Sequence, residues 1–418
     1  MIDRMRRWLH QLGPGLITGA ADDDPSGIAT YSQAGAQFGY QLGWTIVLTY
    51  PLMVGIQMVS ARMGRVTGHG LASNIRSNFP RPILYAIVSM LVIANTINVA
   101  ADIAAMGEAL QLVVGGGAHG HAVVFGVFSL TLQVFLPYQR YVRYLKWLTL
   151  ALLAYVAVVF TIAMPWREVV VGLVWPHIVL NGQALTVIVA VFGTTISPYL
   201  FFWQAAQEVE EIKADPTASA LKKDPEPARR HLRRIKIDTY IGMGFSNLIA
   251  LFIIVSTAAT LHAAGVTDIQ TSAQAAEALR PLAGEWAFLL FSLGIIGTGL
   301  LAVPVLAGSA AYAVTEAFEW KSGLDRKLLE AREFYAIIAL ATLGGVAIDF
   351  TPIDPIKALF WSAVINGVIA VPIMVVMMLL ADEAKVMGPF VVTRRLKALG
   401  WLATWTMAAA VVAMFVTS

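Results

Sequence analysis

Three consecutive carboxylates, Asp22, Asp23 and Asp24, stand directly before Pro25, Ser26 and Gly27 inside an otherwise apolar stretch. A carboxylate at mid-bilayer costs at least about 2.5 kcal/mol on insertion scales, so such groups face a cavity and mark a pathway. Pro25 removes a backbone donor and Gly27 admits unusual dihedrals, so the helix breaks there and the freed carbonyls could coordinate a cation. Asp24, next to the proline, is the candidate direct or water-mediated ligand, with capping of the following half-helix as the alternative. Asp22 and Asp23 either add negative potential to a vestibule or only cap and bind water. A second interruption reads Gly193-Thr194-Thr195-Ile196-Ser197-Pro198-Tyr199, where the Ser197 hydroxyl could bind the ion or hold a water.

Other polar groups in apolar stretches carry weaker signals. Gln57 and Asn366 could line an ion path, although a hydrogen bond between helices is the commoner use of such amides. Asp102 and Glu108 are six residues apart, about 240° around a helix, so one cavity does not receive both. Glu208, Glu210 and Glu211 either attract cations or form salt bridges with the adjoining basic segment, the second being the preferred reading. His119 and His121 have no companion ligand and are read as loop residues.

These residues must be positioned by membrane spans. Only 13% of the 418 residues are charged, against roughly 25% in soluble chains, and 58% are hydrophobic. Mean hydropathy is +0.70. The composition excludes an ordinary soluble enzyme. The net charge of +3 is too balanced to imply a nucleic-acid partner, and the absence of Cys excludes disulfides and thiolate metal sites. Apolar stretches lie near 12–40, 44–61, 83–114, 121–138, 145–164, 184–211, 239–262, 286–315, 334–348, 356–380 and 398–417, giving about eleven transmembrane helices. With a cytoplasmic N-terminus and an outside C-terminus, 26 of the 29 Lys and Arg fall on the inner side, as the positive-inside rule requires. The basic start, followed by Gly13-Pro14-Gly15, is read as retained rather than cleaved. The segment from Lys213 to Lys236 reads as a solvated loop.

The two breaks fall in the first and sixth spans and run in opposite directions, which is the pattern of inverted five-helix repeats with substrate held between broken helices at the midplane. The expected organisation is one all-α transporter domain over 1–418. A first repeat covers 12–164, an inverted second repeat 184–380, and a peripheral eleventh helix 398–417.

The chain resembles the NRAMP (natural resistance-associated macrophage protein) family of divalent-metal transporters. The resemblance rests on Gly13-Pro14-Gly15, Asp24-Pro25-Ser26-Gly27, the run from Gln33 to Tyr40 and the run from Ser60 to Gly68. It continues to Ala101-Asp102-Ile103-Ala104 and the Pro198 break. It implies the leucine-transporter fold, with helices 1 and 6 broken, and backbone carbonyl ligands at Ala21 and Thr194. The family's first-span motif is Asp-Pro-Gly-Asn, with Asp and Asn both on the metal; here Gly27 stands at the Asn position. The sixth-span Met-Pro-His is replaced by Ser197-Pro198-Tyr199, and the acid three residues after the third-span Asp is Ala105. This pattern is similar to the NRAMP-related magnesium transporter branch, which implies Mg2+ and Mn2+ movement without proton coupling. Coordination chemistry agrees: Mg2+ prefers oxygen ligands and keeps several waters, whereas losing the thioether and the amide disfavours softer ions.

The sequence therefore predicts an inner-membrane importer of Mg2+, and of Mn2+, working by alternating access, with the metal as substrate and no cofactor. Candidate metal ligands are Asp24, Gly27, Ala21, Thr194 and Ser197, and Asp22, Asp23, Gln57, Asp102, Tyr199 and Asn366 are pathway candidates. A monomer suffices for this reading. A proton-coupled Mn2+/Fe2+ transporter is the nearest alternative. A membrane prenyltransferase would need a second Asp-rich motif, and an amino-acid symporter would not place Asp24 against its substrate carboxylate.

Overall fold

A computed structural model describes residues 18, 19, 21–136, 148–176, 181–215, 217–324 and 326–417. Gly13-Pro14-Gly15, the N-terminal arginines and the basic segment 140–146 lie outside them. Regular structure among the described residues is entirely helical.

A short helical stretch at residues 18, 19, 21 and 22 stops at the acidic run. Helix α1 (Pro25–Phe38) then starts because Asp24 Oδ1 accepts the Gly27 N–H at 2.8 Å and Pro25 occupies the first helical position. At 14 residues, α1 is about 21 Å long, too short to cross a bilayer by itself. A 3-10 turn (Gly39–Leu42) leads into α2 (Gly43–Thr67), which closes on Gly68 in the left-handed region, φ 71°. A short helix, α3 (Leu71–Asn78), follows, then α4 (Arg81–Val114), α5 (Ala118–Phe135), α6 (Leu153–Thr161) and α7 (Trp166–Val174).

The second discontinuous span is α8 (Gly182–Thr195) and α9 (Pro198–Ala214), separated by Ile196 and Ser197 with Pro198 at the first position of α9. The remaining long helices are α10 (Ala228–Thr257), α11 (Ala287–Phe318), α12 (Arg332–Asp349), α13 (Pro355–Asp382) and α14 (Arg394–Thr417). Each of the eleven apolar stretches holds helix. Eight segments among the described residues are long and apolar enough to cross a membrane, with Pro25–Thr67 counted as one and the apolar Leu150–Thr161 shorter.

The basic segment differs from its sequence reading. Residues 213–236 are not one loop: α9 continues to Ala214, α10 begins at Ala228 after Pro227, and Arg-rich residues 228–236 form its first turns. The intervening strap is largely exposed, as expected, but is anchored at Ala220 and Leu221, which are buried. Leu221 and Lys222 N–H groups donate to the Arg65 and Val66 carbonyls at 3.2 and 3.0 Å, and Leu221 is fully buried.

Helices α4, α11 and α13 form the centre, with α4 packed on α11, α13, α5 and α12, and α8 packed on α13. Asn95 of α4 donates to the Leu306 carbonyl and Ser309 Oγ of α11, at 2.9 and 2.8 Å. Helices α5 and α14 are peripheral and expose Val124, Val127, Phe128, Trp405, Val412 and Phe415. Lipid offers no hydrophobic drive for helix association, so close backbone approach through small residues must hold the bundle together. Gly193 of α8 illustrates this: a Cβ there would overlap the Ala363 carbonyl and the Gly367 nitrogen of α13. Gly19 meets the Gly242 backbone of α10 in the same way, and Gly64 of α2 meets Ala205 of α9.

Candidate functional site: a carboxylate at the meeting of two broken helices

The break before α1 and the break before α9 face each other. The Asp24 carboxylate is fully engaged between them. Its Oδ1 accepts from Ser26 Oγ (2.6 Å) and the Gly27 N–H (2.8 Å), and its Oδ2 accepts from Asn98 Nδ2 (3.2 Å) of α4. The Tyr199 hydroxyl lies 3.0 Å from the Ala21 carbonyl and 3.4 Å from Asp24 Oδ2, bridging the two breaks. Asp24 thus both caps α1 and presents a buried carboxylate to the site; the two readings of this residue are compatible.

Ala21 and Thr194, the carbonyl candidates, accept hydroxyls in this conformation: Ala21 from Tyr199, and Thr194 from Ser197 Oγ at 2.8 Å. Ser197 Oγ also lies 2.9 Å from the Gly193 carbonyl. Its oxygen lone pairs are still available to an ion or a water, because the hydroxyl donates in these contacts. Gly27 stands where little room is left. A Cβ there would come within 3.3 Å of both Thr194 Oγ1 and the Tyr31 ring, so the place of a larger side chain is partly taken by Tyr31, whose hydroxyl lies 3.2 Å from Thr195 Oγ1. Glycine at this position therefore leaves less free space than the loss of an asparagine side chain alone would give.

Asp22 and Asp23 are buried beside α10 and converge on Ser246 Oγ, at 2.6 Å from Asp22 Oδ2 and 2.9 Å from Asp23 Oδ1. No Lys, Arg or His pairs with Asp22, Asp23 or Asp24 among the described residues. When ionised, three carboxylates without a paired cationic side chain would give this site a negative potential that concentrates cations.

Asp102 lies one turn beyond Asn98 on α4, buried, with neither carboxylate oxygen hydrogen-bonded among the described residues. Glu108 is turned away to the loop, where Ser272 Oγ donates to it at 2.8 Å, so the two acids do occupy different surroundings. Gln57 Nε2 donates to the Leu200 carbonyl at 3.0 Å, tying α2 to α9. Asn366 requires a correction. Neither its Nδ2 nor its Oδ1 finds a partner among the described residues, so the tie between helices expected of it is not made. It stands next to Gly367, on the turn of α13 that abuts Val189 and Gly193.

Asn98, Ser246, Ser362 and Tyr31 were not singled out from sequence. Ser362 Oγ donates to Asn98 Oδ1 at 2.7 Å, which orients the amide so that its Nδ2 faces Asp24. The i, i+4 spacing of Asn98 and Asp102 on one helical face was the available signal. Ser246 carried none, since a lone serine in a span usually bonds its own helix. His119 pairs with Asp349 at 2.9 Å rather than joining His121.

A cavity of about 440 Å3 opens at the end carrying the N-termini of α8 and α13 and the C-terminus of α1. Gln33, Gln37, Gln183, Asp268 and Lys357 line it, and Ala29, one turn above Pro25, lies at its wall. Among the described residues no three His, Asp or Glu side chains converge as a closed metal cage.

The comparisons with known proteins fit this geometry. A family model described as natural resistance-associated macrophage protein-like matches residues 15–417. The divalent metal cation transporter MntH of Klebsiella pneumoniae is 28% identical over 403 residues, spanning 94% of this chain and 90% of its own length. MntH of Deinococcus radiodurans is 29% identical over 407 residues, spanning 95% and 87%. A crystal structure of a variant manganese transporter from Eremococcus coleocola matches 98% of this chain and 87% of its own, with a TM-score of 0.77 at 19% identity. A nucleobase-cation-symport-1 family transporter in a closed conformation matches 97% and 92%, with a TM-score of 0.57 at 14% identity. The chain shares its fold with both.

Proposed function

Because the chain belongs to the natural resistance-associated macrophage protein family of membrane transporters, we propose that it imports Mg2+, and Mn2+ beside it, by alternating access without a coupled proton. The ion is substrate and not a resident cofactor, and the prenyltransferase alternative falls with membership of a transporter family. One observation carries the choice of ion: the side chains and carbonyls at the two breaks, Asp24, Ala21, Thr194 and Ser197, offer oxygen and no sulfur or imidazole. A hard ion that keeps its waters suits such a site, with one carboxylate in contact and the neighbouring hydroxyls and amides bonding the hydration shell. Asp22, Asp23, Asp102, Tyr199 and Asn366 would then act on the hydrated ion at longer range, and Gln57 would hold α2 to α9.

The proposed architecture has eleven spans, with repeats over 12–164 and 184–380 and a peripheral helix at 398–417. The pairwise packing of α2 with α10, α4 with α11 and α5 with α12 supports it, since these are the helices that an inverted repeat relates. We place the protein in the inner membrane with its N-terminus in the cytoplasm and C-terminus outside, on the distribution of Lys and Arg. Inward movement of a divalent ion gains about 4.6 kcal/mol per 100 mV of membrane potential, enough to drive accumulation without a proton.

A proton-coupled carrier of Mn2+ or Fe2+ is the second reading, favoured by the names of the relatives and by the buried, unpaired Asp102. Reconstituted liposomes separate the two. Mg2+ entry without internal acidification is the expected result; Mn2+-driven acidification with no Mg2+ entry would overturn the proposal and return the chain to the proton-coupled class.

A further inference from the structure

A polar stripe descends α9 from the break. Gln204, Glu208 and Glu211 are spaced at i, i+4 and i+7 from one another, which places them on one face. The stripe starts five residues after Tyr199, which reaches Asp24. Gln204 Oε1 accepts from Thr18 Oγ1 at 2.6 Å, and Thr18 belongs to the short helix that ends at the acidic run. Its lower end is closed by a single guanidinium. Arg234 of α10 donates from Nη2 to Glu208 Oε2 at 2.5 Å and pairs through Nη1 with Glu211 Oε2 at 2.9 Å. Glu208 is fully buried.

The surrounding contacts make this pair the discriminating one. On its other side α9 is joined to α2 through backbone: Gln57 to the Leu200 carbonyl, Ser60 Oγ to the Phe201 carbonyl, and Gly64 against Ala205. Such an interface keeps two helices together as one body. Between α9 and α10 themselves the contact is made by charged side chains, so Arg234 can leave Glu208 and Glu211 by a change of rotamer while α2 stays packed on both helices. Arg65 of α2, buried and 2.9 Å from His231 Nε2, holds the neighbouring turn of α10.

The geometry points to Arg234 as a tethered cation that stoppers the inner exit of the ion path, held on Glu208 and Glu211 until that pair separates. A permeating cation that leaves Asp24 along this face finds both carboxylates occupied by the Arg234 guanidinium while the pair is closed. It meets two carboxylates once the pair opens. An open cavity that reaches Ala29 at one end of the molecule and a closed ion pair at the other give the asymmetry that alternating access requires. The inference rests on the transporter reading above, because it takes the far end of α9 as the cytoplasmic side.

The chain has no Cys, so single cysteines report accessibility directly. Gln204→Cys is placed in the stripe, and Ala307→Cys, buried in α11, serves as the control. Each is made with Arg234 intact and with Arg234→Gln, reconstituted, and treated with a membrane-impermeant maleimide from either face. We expect Gln204→Cys to label at least about tenfold faster in the Arg234→Gln protein, from the face bearing Lys213 and Arg229, with Ala307→Cys unchanged. Equal labelling with and without Arg234 overturns the stopper while leaving the uptake assay to judge transport. Faster labelling of both cysteines overturns it too, since that is general loosening. A gain confined to the opposite face refutes the assigned orientation together with the gate.

Discussion

Asp24→Asn is expected to reduce divalent-cation uptake by about 100-fold or more while leaving the protein folded. The two oxygens of Asp24 do different things. Oδ1 caps α1 through the Gly27 N–H, and Oδ2 meets Asn98 and lies near Tyr199. Asparagine caps a helix about as well as aspartate, so the substitution retains the start of α1 and removes the charge. A hundredfold loss corresponds to about 2.7 kcal/mol, a modest share of what one carboxylate contributes to holding a divalent ion away from bulk water. Uptake is measured in liposomes beside Asp24→Ala, which loses both roles. Full transport by Asp24→Asn with none by Asp24→Ala would show that this residue only caps.

Gly193→Val is expected to prevent assembly rather than to slow transport. A Cβ at this position overlaps backbone atoms of Ala363 and Gly367, which have no rotamer to change, so α8 and α13 must move apart. Overpacking ordinarily costs about 1–3 kcal/mol, and displacement of two backbones lies at or above the upper end, against a total stability of about 5–15 kcal/mol. The separation would also move Thr194 and Asn366 relative to the first break. The measurement is the yield of monodisperse protein after extraction and its thermal transition. A Gly193→Val protein that extracts and melts like the parent would mean that the two helices are not in contact in the assembled state.

Much of this architecture was legible beforehand because lipid imposes a simple rule on the chain. A stretch of about 20 apolar residues must become helix, and a proline beside polar residues must break it; Pro25 and Pro198 obey this. What composition cannot convey is which helix a polar side chain reaches. Asn98 and Ser362 are unremarkable residues in sequence and become the support of Asp24 only when α4 and α13 pack together. The same holds for Asn366, whose amide looked like an interhelical tie and has no partner among the described residues. The basic segment misled for a different reason: its charge and prolines suggested a loop, but Arg and Lys are good helix formers, and α10 starts well before its apolar part.

The sharing of Ser246 by Asp22 and Asp23 bears on how the protein is made. On insertion scales each aspartate at mid-bilayer costs about 2.5–3.5 kcal/mol, so three in one span oppose its entry by roughly 8–10 kcal/mol. The hydroxyl that receives two of them lies 224 and 223 residues further along the chain. At about 5–20 residues per second, that interval is roughly 11–45 s of synthesis. The first span must therefore wait at the translocon or the membrane surface until α10 emerges, and its integration is a late event in biogenesis despite its early position. Chains truncated before α10 are expected to leave a cysteine at Ala34, buried on α1 and away from the cavity, open to impermeant reagent, and chains extending through α10 to protect it; equal protection in both would show that the span enters alone.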